Sequence, residues 1–279
     1  MLRYWAVTLT GENSMIINIV GGSGIMGSVH KPIFEKSGHR VITSGRNSNP
    51  SIKEAAKQSD ITIISVPIDA TEEIIKEIGP YCKAIVDFTS LKEFPVAAML
   101  KYSDKKCEVA GLHPLYGEVK SIKNKPIIYC KTERSGQMCQ ELINCLKDNG
   151  AEIIEMSTKD HDKEVLSLNQ ALRIKEVAAY IKTITGGSLS VEEMYKIAPP
   201  PTKAIIELCA RQINENNDDM YVEMIKRDKY MKSTEDKFLD NFKQVGKNYK
   251  KIASELRNSF GLKFLREMQE KAEKNIEKN

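Results

Sequence analysis

The sequence predicts an α/β chain: a mainly parallel sheet in its first half, followed by an all-helical second half. Three observations carry this reading. Five apolar strand-like runs are separated by helical or polar segments, a glycine-rich turn directly follows the first run, and the pattern after Gly150 turns to helical periodicity. Strands that alternate with crossover helices form parallel sheets covered on both faces, because right-handed crossovers lay the helices over them. A chain of 279 residues is long enough for about two such domains.

Taken in order, the strands are expected over residues 15–20, 40–43, 61–66, 84–88 and 108–112. A further apolar run at 126–130 and a helix over 136–148 complete the unit, with Asn149-Gly150 as the helix stop and a short extended run at 151–154. No internal repeat indicates a solenoid. A long helix follows over 162–184. Its apolar residues (Val165, Leu166, Leu168, Leu172, Ile174, Val177, Ile181) spread nearly all round, as in a buried helix, and Gly186-Gly187 ends it. Ser190 and Glu193 form a capping box for the next helix, and Pro199-Pro200-Pro201 breaks that helix and launches another. Ile205, Leu208, Cys209 and Ile213 are its expected buried stripe. Phe238, Phe242, Val245, Tyr249, Ile252 and Leu256 alternate at spacings of four and three, and a break at Phe260-Gly261 precedes a last helix, which together read as a helical hairpin. That seam packs within the subunit or against a partner; a homodimer through the helical domain is the expectation carried forward. The domains expected are an extension over 1–14, a dinucleotide-binding domain over 15–155 and a helical substrate and dimerisation domain over 156–279.

Composition excludes several classes. The net charge of +4, from 42 basic and 38 acidic residues, is too small and too evenly spread to argue for nucleic acid. The longest apolar runs fall far short of the roughly 20 residues that a membrane helix needs. Residues 1–14 lack the hydrophobic length and cleavage site of a signal peptide, and Met15, directly ahead of the first strand, is an alternative start. Six cysteines form no C-x-x-C pair and no metal-like cluster with the four histidines, so they read as free thiols in a reducing cytoplasm.

The first strand runs into Gly22-Ser23-Gly24-Ile25-Met26-Gly27 and then a helix. In that context the pattern is a dinucleotide loop of a Rossmann-like domain. Gly22 permits the tight turn, Gly24 lets the backbone approach a pyrophosphate, Gly27 allows close packing, and the helix N-terminus attracts the anion. NAD-binding loops place an acidic residue at the end of the second strand, where it accepts hydrogen bonds from the ribose. Here that strand ends Thr43-Ser44-Gly45-Arg46-Asn47. A hydroxyl and a guanidinium suit a 2′-phosphate that a carboxylate would repel, so NADP is expected over NAD, with Ser44, Arg46 and Asn47 as contacts. The bland alternative is an exposed turn arginine.

Two further clusters lie at strand ends, where ligands of open α/β sheets bind: Asp87-Phe88-Thr89-Ser90-Leu91-Lys92 and Gly111-Leu112-His113-Pro114-Leu115-Tyr116-Gly117. His113 is suited to taking a proton near neutral pH, and a serine on the neighbouring strand end could hold its ring. His30 and His39 flank the first helix and are expected to be exposed. His161 is expected to begin and cap a helix, and no metal site is expected.

In these residues the chain resembles the prephenate dehydrogenase family. The glycine loop, the D-x-x-S-x-K segment at Asp87 to Lys92, the H-P-L-Y-G segment at His113 to Gly117 and the His161-Asp162 pair opening a long helix occur in the family's order, from about residue 15 onwards. The resemblance implies oxidative decarboxylation of prephenate to 4-hydroxyphenylpyruvate in tyrosine biosynthesis. It implies that His113 accepts the proton of the substrate's ring hydroxyl, that Ser90 hydrogen-bonds and orients His113, and that Arg211 grips a substrate carboxylate. From the residues alone, the better reading of Arg211 is an i,i+4 surface pair with Glu207. One departure stands out: where the family usually carries a histidine on the long helix, this chain has Arg173, which binds a substrate carboxylate or pairs with Glu176. That leaves prephenate and its amino counterpart arogenate open. A reductase of the imine or 3-hydroxyacid type would call for a catalytic Lys or hydroxyl on the long helix, and a dinucleotide sensor would have no use for Ser90 with His113.

Overall fold

A computed structural model describes residues 14–214 and 218–276. The expected extension therefore lies outside the described residues, apart from Ser14.

The first unit is built on a seven-stranded sheet: β1 (Ile16–Val20), β2 (Arg40–Ser44), β3 (Ile61–Ile64), β4 (Ala84–Asp87), β5 (Glu108–Pro114), β6 (Pro126–Lys131) and β7 (Glu152–Glu155). Their order is β2-β1-β3-β4-β5-β6-β7, and every neighbouring pair is parallel except β5 with β6. This is the mainly parallel, Rossmann-type arrangement that the sequence predicts. The chain runs from β1 to β2 on one side and returns to β3 on the other, so the strand order reverses at β1, whose C-terminal end carries the glycine loop. Open α/β sheets bind their ligands at such a switch point.

Helices cover both faces. One core joins Ile17, Ile19, Ile63 and Val86 to Val29 and Phe34 of α1 (Ile25–Lys36) and to Leu142 and Leu146 of α5 (Gln137–Asp148). The other joins Val20, Ile64, Ile85 and Val109 to Ala56 of α2 (Ile52–Gln58), Ile75 and Ile78 of α3 (Ile68–Ile78) and Val96 and Met99 of α4 (Glu93–Tyr102). Successive strand residues thus feed opposite cores, and the strands need near-continuous apolar runs. Full burial of each such isoleucine stabilises the fold by about 1.5–3 kcal/mol.

All six cysteines are free and buried. Burial pushes the thiols of Cys82, Cys130 and Cys139 up to about 12. The two histidines expected to be exposed are not. His30 lies fully buried inside α1, and His39 is half-buried, its Nδ1 accepting the Met15 N–H at 3.2 Å.

Two compact units divide the chain. One holds the residues up to Leu166 together with Val222–Asp228, and the other holds Ser167–Tyr221 and the residues from Lys229 on. The division falls inside the predicted long helix. That helix opens after a single turn α6 (Thr158–Asp160) as a π-helix over His161–Ala171 and continues as α7 (Leu172–Ile184). It is not buried all round: Ala171, Ile174 and Val177 are covered, while Tyr180 is exposed.

The second unit continues with α8 (Val191–Ile197), whose Ser190/Glu193 capping box forms as predicted, and α9 (Pro200–Asn214). On α9 the buried stripe is Ile206, Cys209 and Gln212. The expected stripe was rotated by part of a turn, since Leu208 and Ile213 are 38% and 63% exposed. A helix period fits both sets, and the packing of α9 against α7 selects one. Helix α10 (Asp218–Arg227) follows, its residues from Val222 on belonging to the first unit, and the second unit resumes with α11 (Met231–Phe260) and α12 (Leu262–Ile276), packed together across Gly261. Non-helical backbone at Asn248 kinks α11. Of the predicted seam, Phe242, Val245, Tyr249 and Leu256 stay exposed. Among the described residues, no helix is long and apolar enough to cross a membrane.

Candidate active site

The loop after β1 is a close fit of backbone to backbone. Gly21 adopts φ +80°, and a Cβ there would lie 2.2 Å from the Ser65 carbonyl oxygen. The tight turn is therefore made by Gly21, whereas Gly22 serves a different end: a Cβ on it would meet the Thr43 side chain at 2.6 Å. A Cβ on Gly27 would fall 2.3 Å from the Gly22 carbonyl oxygen, so Gly27 lets α1 start directly on the loop. Ser23, Gly24 and Ile25 are exposed at the rim, and Met26 is half-buried. Helix α1 begins with no side-chain cap on Gly24 and no acidic residue in its first turn. An uncapped, positively polarised helix end beside a glycine cradle fits a diphosphate.

At the end of β2 the predicted contacts separate. Ser44 is buried and its hydroxyl donates to Asn18 Oδ1 at 2.9 Å, while its carbonyl accepts the Gly21 N–H at 2.8 Å. Its side chain thus serves the sheet and its backbone supports the loop. Arg46 and Asn47 are exposed, and no carboxylate stands at this strand end.

The ends of β4 and β5 enclose a buried charged cluster. Lys92 is fully buried; its Nζ donates to Asp87 Oδ2 and, at 2.7 Å, to the Leu112 carbonyl of β5. Thr89 donates to the same Asp87 oxygen through its amide at 3.1 Å and through its hydroxyl. Burial pushes the Asp87 carboxyl up, opposed by the Lys92 charge. The lysine therefore ties the end of β4, which leads to Ser90, to β5 one residue before His113.

His113, the penultimate residue of β5, is 5% exposed. Its Nδ1 lies 2.8 Å from His161 Nε2, and His161 Nδ1 lies 2.7 Å from Asp162 Oδ1. Asp162 also accepts the N–H groups of Lys92 and Glu93, at 2.8 and 2.9 Å, and so caps the start of α4. A carboxylate can only accept, so the proton between Asp162 and His161 belongs to His161 Nδ1. His161 Nε2 is then an acceptor, His113 Nδ1 is the donor to it, and His113 Nε2 keeps its lone pair. Burial, then the charges of His161 and Lys92, hold His113 well below the ordinary histidine range, so its ring is neutral at neutral pH. Burial likewise lowers His161, partly opposed by its bond to Asp162. The half-buried Ser90 makes no hydrogen bond to His113, whose Nδ1 is taken by His161.

In the second unit, Arg173 of α7 is half-buried and its Nη1 donates to Gln212 Oε1 of α9 at 3.2 Å, rather than pairing with Glu176. Arg211, the neighbour of Gln212, is exposed, and Glu207 accepts a hydrogen bond from Tyr195 at 2.6 Å.

Comparison with known proteins bears on this arrangement. Residues 24–155 match the family model described as the nucleotide-binding domain of prephenate dehydrogenase. Over these residues the chain is similar to the nucleotide-binding domain of the prephenate dehydrogenase family. A probable arogenate/prephenate dehydrogenase of Methanocaldococcus jannaschii is 26% identical over 279 residues, covering 90% of this chain and 62% of the relative. The T-protein of Haemophilus influenzae is 30% identical over 161 residues, covering 56% of this chain and 42% of its own length. The chain thus spans less than two thirds of these relatives. Among solved structures, the prephenate dehydrogenase from A. aeolicus in complex with hydroxyphenyl propionate and NAD+ superimposes with a TM-score of 0.70 at 17% identity, over 96% of this chain and 99% of that one. Synechocystis arogenate dehydrogenase gives 0.62 at 17%, over 95% and 100%. These likenesses establish a shared fold.

Several residues around the site escaped the sequence reading. Gly21 carries the turn, Lys92 clamps the strand ends, and His161 with Asp162 supports the His113 ring. His30 also belongs here: its ring bridges the Met26 carbonyl at 2.7 Å and the Tyr116 hydroxyl at 2.9 Å, joining the cofactor helix to the loop after His113. The H-D pair was visible, but nothing in its spacing tells that it returns to His113.

Proposed function

We propose that this protein catalyses the oxidative decarboxylation of prephenate to 4-hydroxyphenylpyruvate with NADP. The observation that carries this reading is a buried, neutral His113 whose Nε2 lone pair is left over at the sheet end that also holds the glycine loop. The match of residues 24–155 to the prephenate dehydrogenase model and the name of the Methanocaldococcus jannaschii relative support the substrate class.

When bound, NADP supplies the hydride acceptor. The chain's residues manage the rest: the loop over Gly22, Ser23, Gly24, Ile25, Met26 and Gly27 holds the diphosphate, and His113 Nε2 takes the proton of the ring hydroxyl as its carbon loses hydride. The bond to the ring carboxylate then breaks, carbon dioxide leaves, and the electron pair completes the aromatic ring. The proton returns from His113 to the ring oxygen. Arg211 and Arg173 are assigned to the substrate's two carboxylates, since a guanidinium binds a carboxylate in bidentate fashion. Ser90, with no hydrogen bond to His113 in this structure, is assigned to the substrate hydroxyl. Arg46 and Asn47 favour NADP, with Ser44 contributing through its backbone alone. Arogenate is the second reading, because Arg173 stands where the family usually has histidine. We also infer a homodimer through the helical unit, supported by the exposed apolar row Phe242, Tyr249, Leu256 and Phe260; light scattering that returned the mass of one chain would remove it.

The test is direct. Purified protein is incubated with prephenate or arogenate and each nicotinamide cofactor, and reduced cofactor is followed by absorbance. Turnover with prephenate and NADP is expected, and replacing His113→Asn should lower kcat by about 10²-fold or more. Absence of signal with every pair, or an unchanged rate in the variant, would overturn the reading.

A further inference from the structure

We propose that His161 and Asp162 are positioning residues that hold His113 in the one tautomer able to act as a base. The inference rests on the dehydrogenase reading for its consequence, but its structural content is independent of the substrate.

The three side chains form a line in which each link has one permitted direction. Asp162 Oδ1 receives the Lys92 N–H at 2.8 Å and the His161 ring at 2.7 Å, and its other oxygen receives the Glu93 N–H at 2.9 Å. Two main-chain donors at the start of α4 therefore fix the carboxylate in place before His161 is considered. The fixed acceptor imposes Nδ1–H on His161, and His161 Nε2, now an acceptor, imposes Nδ1–H on His113 across 2.8 Å. Both rings are buried, so no water substitutes for either bond. The result is a lone pair at His113 Nε2. In the opposite tautomer a proton would sit there, and the ring could not accept the substrate's hydroxyl proton. When His113 does accept it, the imidazolium remains bonded to His161, whose other nitrogen faces a carboxylate. The new charge is thus stabilised through the chain, in the manner of a buried acid behind a catalytic histidine. Lys92 is the other charged group beside these rings; it is paired with Asp87 and bonded to the Leu112 carbonyl, so its own donors do not compete for His113.

The protein has four histidines, which makes its ring nitrogens resolvable. Two-bond 15N–1H correlation spectra at neutral pH, assigned with the His113→Asn and His161→Gln variants, should show His113 and His161 both protonated at Nδ1 and bare at Nε2. A proton on Nε2 of His113 would overturn the proposal. In kinetics, His161→Leu, which cannot accept the His113 proton, should lower kcat by about 10²-fold with little change in KM, whereas His161→Gln, whose carbonyl can accept it, should stay within about tenfold of the parent. Equal loss in both variants, or no loss in the leucine variant, would count against the positioning role. If the protein turns over no ring substrate, the spectra still decide the tautomer; if it turns over and the leucine variant matches the parent, the relay fails while the activity stands.

Discussion

At the scale of single residues, burial decides which titratable groups shape this domain. His30 is the clearest case, since desolvation lowers it from 6.5 to about 4 while its ring stays bonded to the Met26 carbonyl and the Tyr116 hydroxyl. The unfolded chain therefore binds a proton before the folded one as pH falls. The contribution of His30 is complete above the unfolded value of 6.5 and is lost progressively as pH drops to about 4. A shift of that size corresponds to an order of about 3 kcal/mol. Urea unfolding at pH 7 and pH 4.5 should show a steeper loss of stability in the parent than in His30→Gln, which has no such proton to take up; parallel losses would contradict the assignment. Lys92 and Asp87 illustrate the same rule in another form. A buried pair of this kind is weak evidence of net stability, but each partner is indispensable to the other, because a lone buried charge costs about 3–5 kcal/mol.

At the scale of elements, the glycine loop separates two demands that one motif seems to merge. Gly21 and Gly27 are required by the fold: the first by its positive φ and its contact with the Ser65 carbonyl, the second by the seating of α1 on Gly22. Gly24 is different, because a Cβ there meets only the Gly21 carbonyl oxygen, at 3.3 Å. Replacing Gly24→Ala should leave thermal stability nearly intact and weaken nucleotide binding by about tenfold or more, through loss of close backbone approach. Replacing Gly21→Ala should destabilise the protein itself by about 1–3 kcal/mol. Calorimetry and cofactor titration on the two variants separate these effects; identical behaviour would refute the division. The sequence made the strands, the loop and both strand-end clusters legible because each is a local pattern: apolar runs of fixed length, a spacing of glycines, a capping box at Ser190. It misled where tertiary packing chose between equivalent local patterns. The stripe of α9 was assigned part of a turn away from the buried one, and His30 was placed outside as a residue flanking the first helix, whereas it lies buried within it. The His161 link to His113 spans 48 residues of sequence and has no local signature at all.

At the scale of the whole molecule, the chain pairs a sheet unit with two dense apolar cores and a helical unit whose C-terminal helices leave large side chains exposed. The distribution of the thiols across these units gives them a use of their own. Cys82, Cys107, Cys130, Cys139 and Cys145 lie in the first unit and Cys209 in the second, all buried and all raised by burial. A thiol-specific chromogenic reagent should therefore find almost nothing to react with in the native protein, since the thiolate is the reacting form. As denaturant is raised, each unit reports its own opening: one equivalent of label for the helical unit and five for the sheet unit. Labelling in a single step of six would mean that the two open together. Labelling of Cys209 ahead of the others would mean that the helices yield first. The six cysteines thereby make the unmodified chain its own two-channel recorder of unfolding.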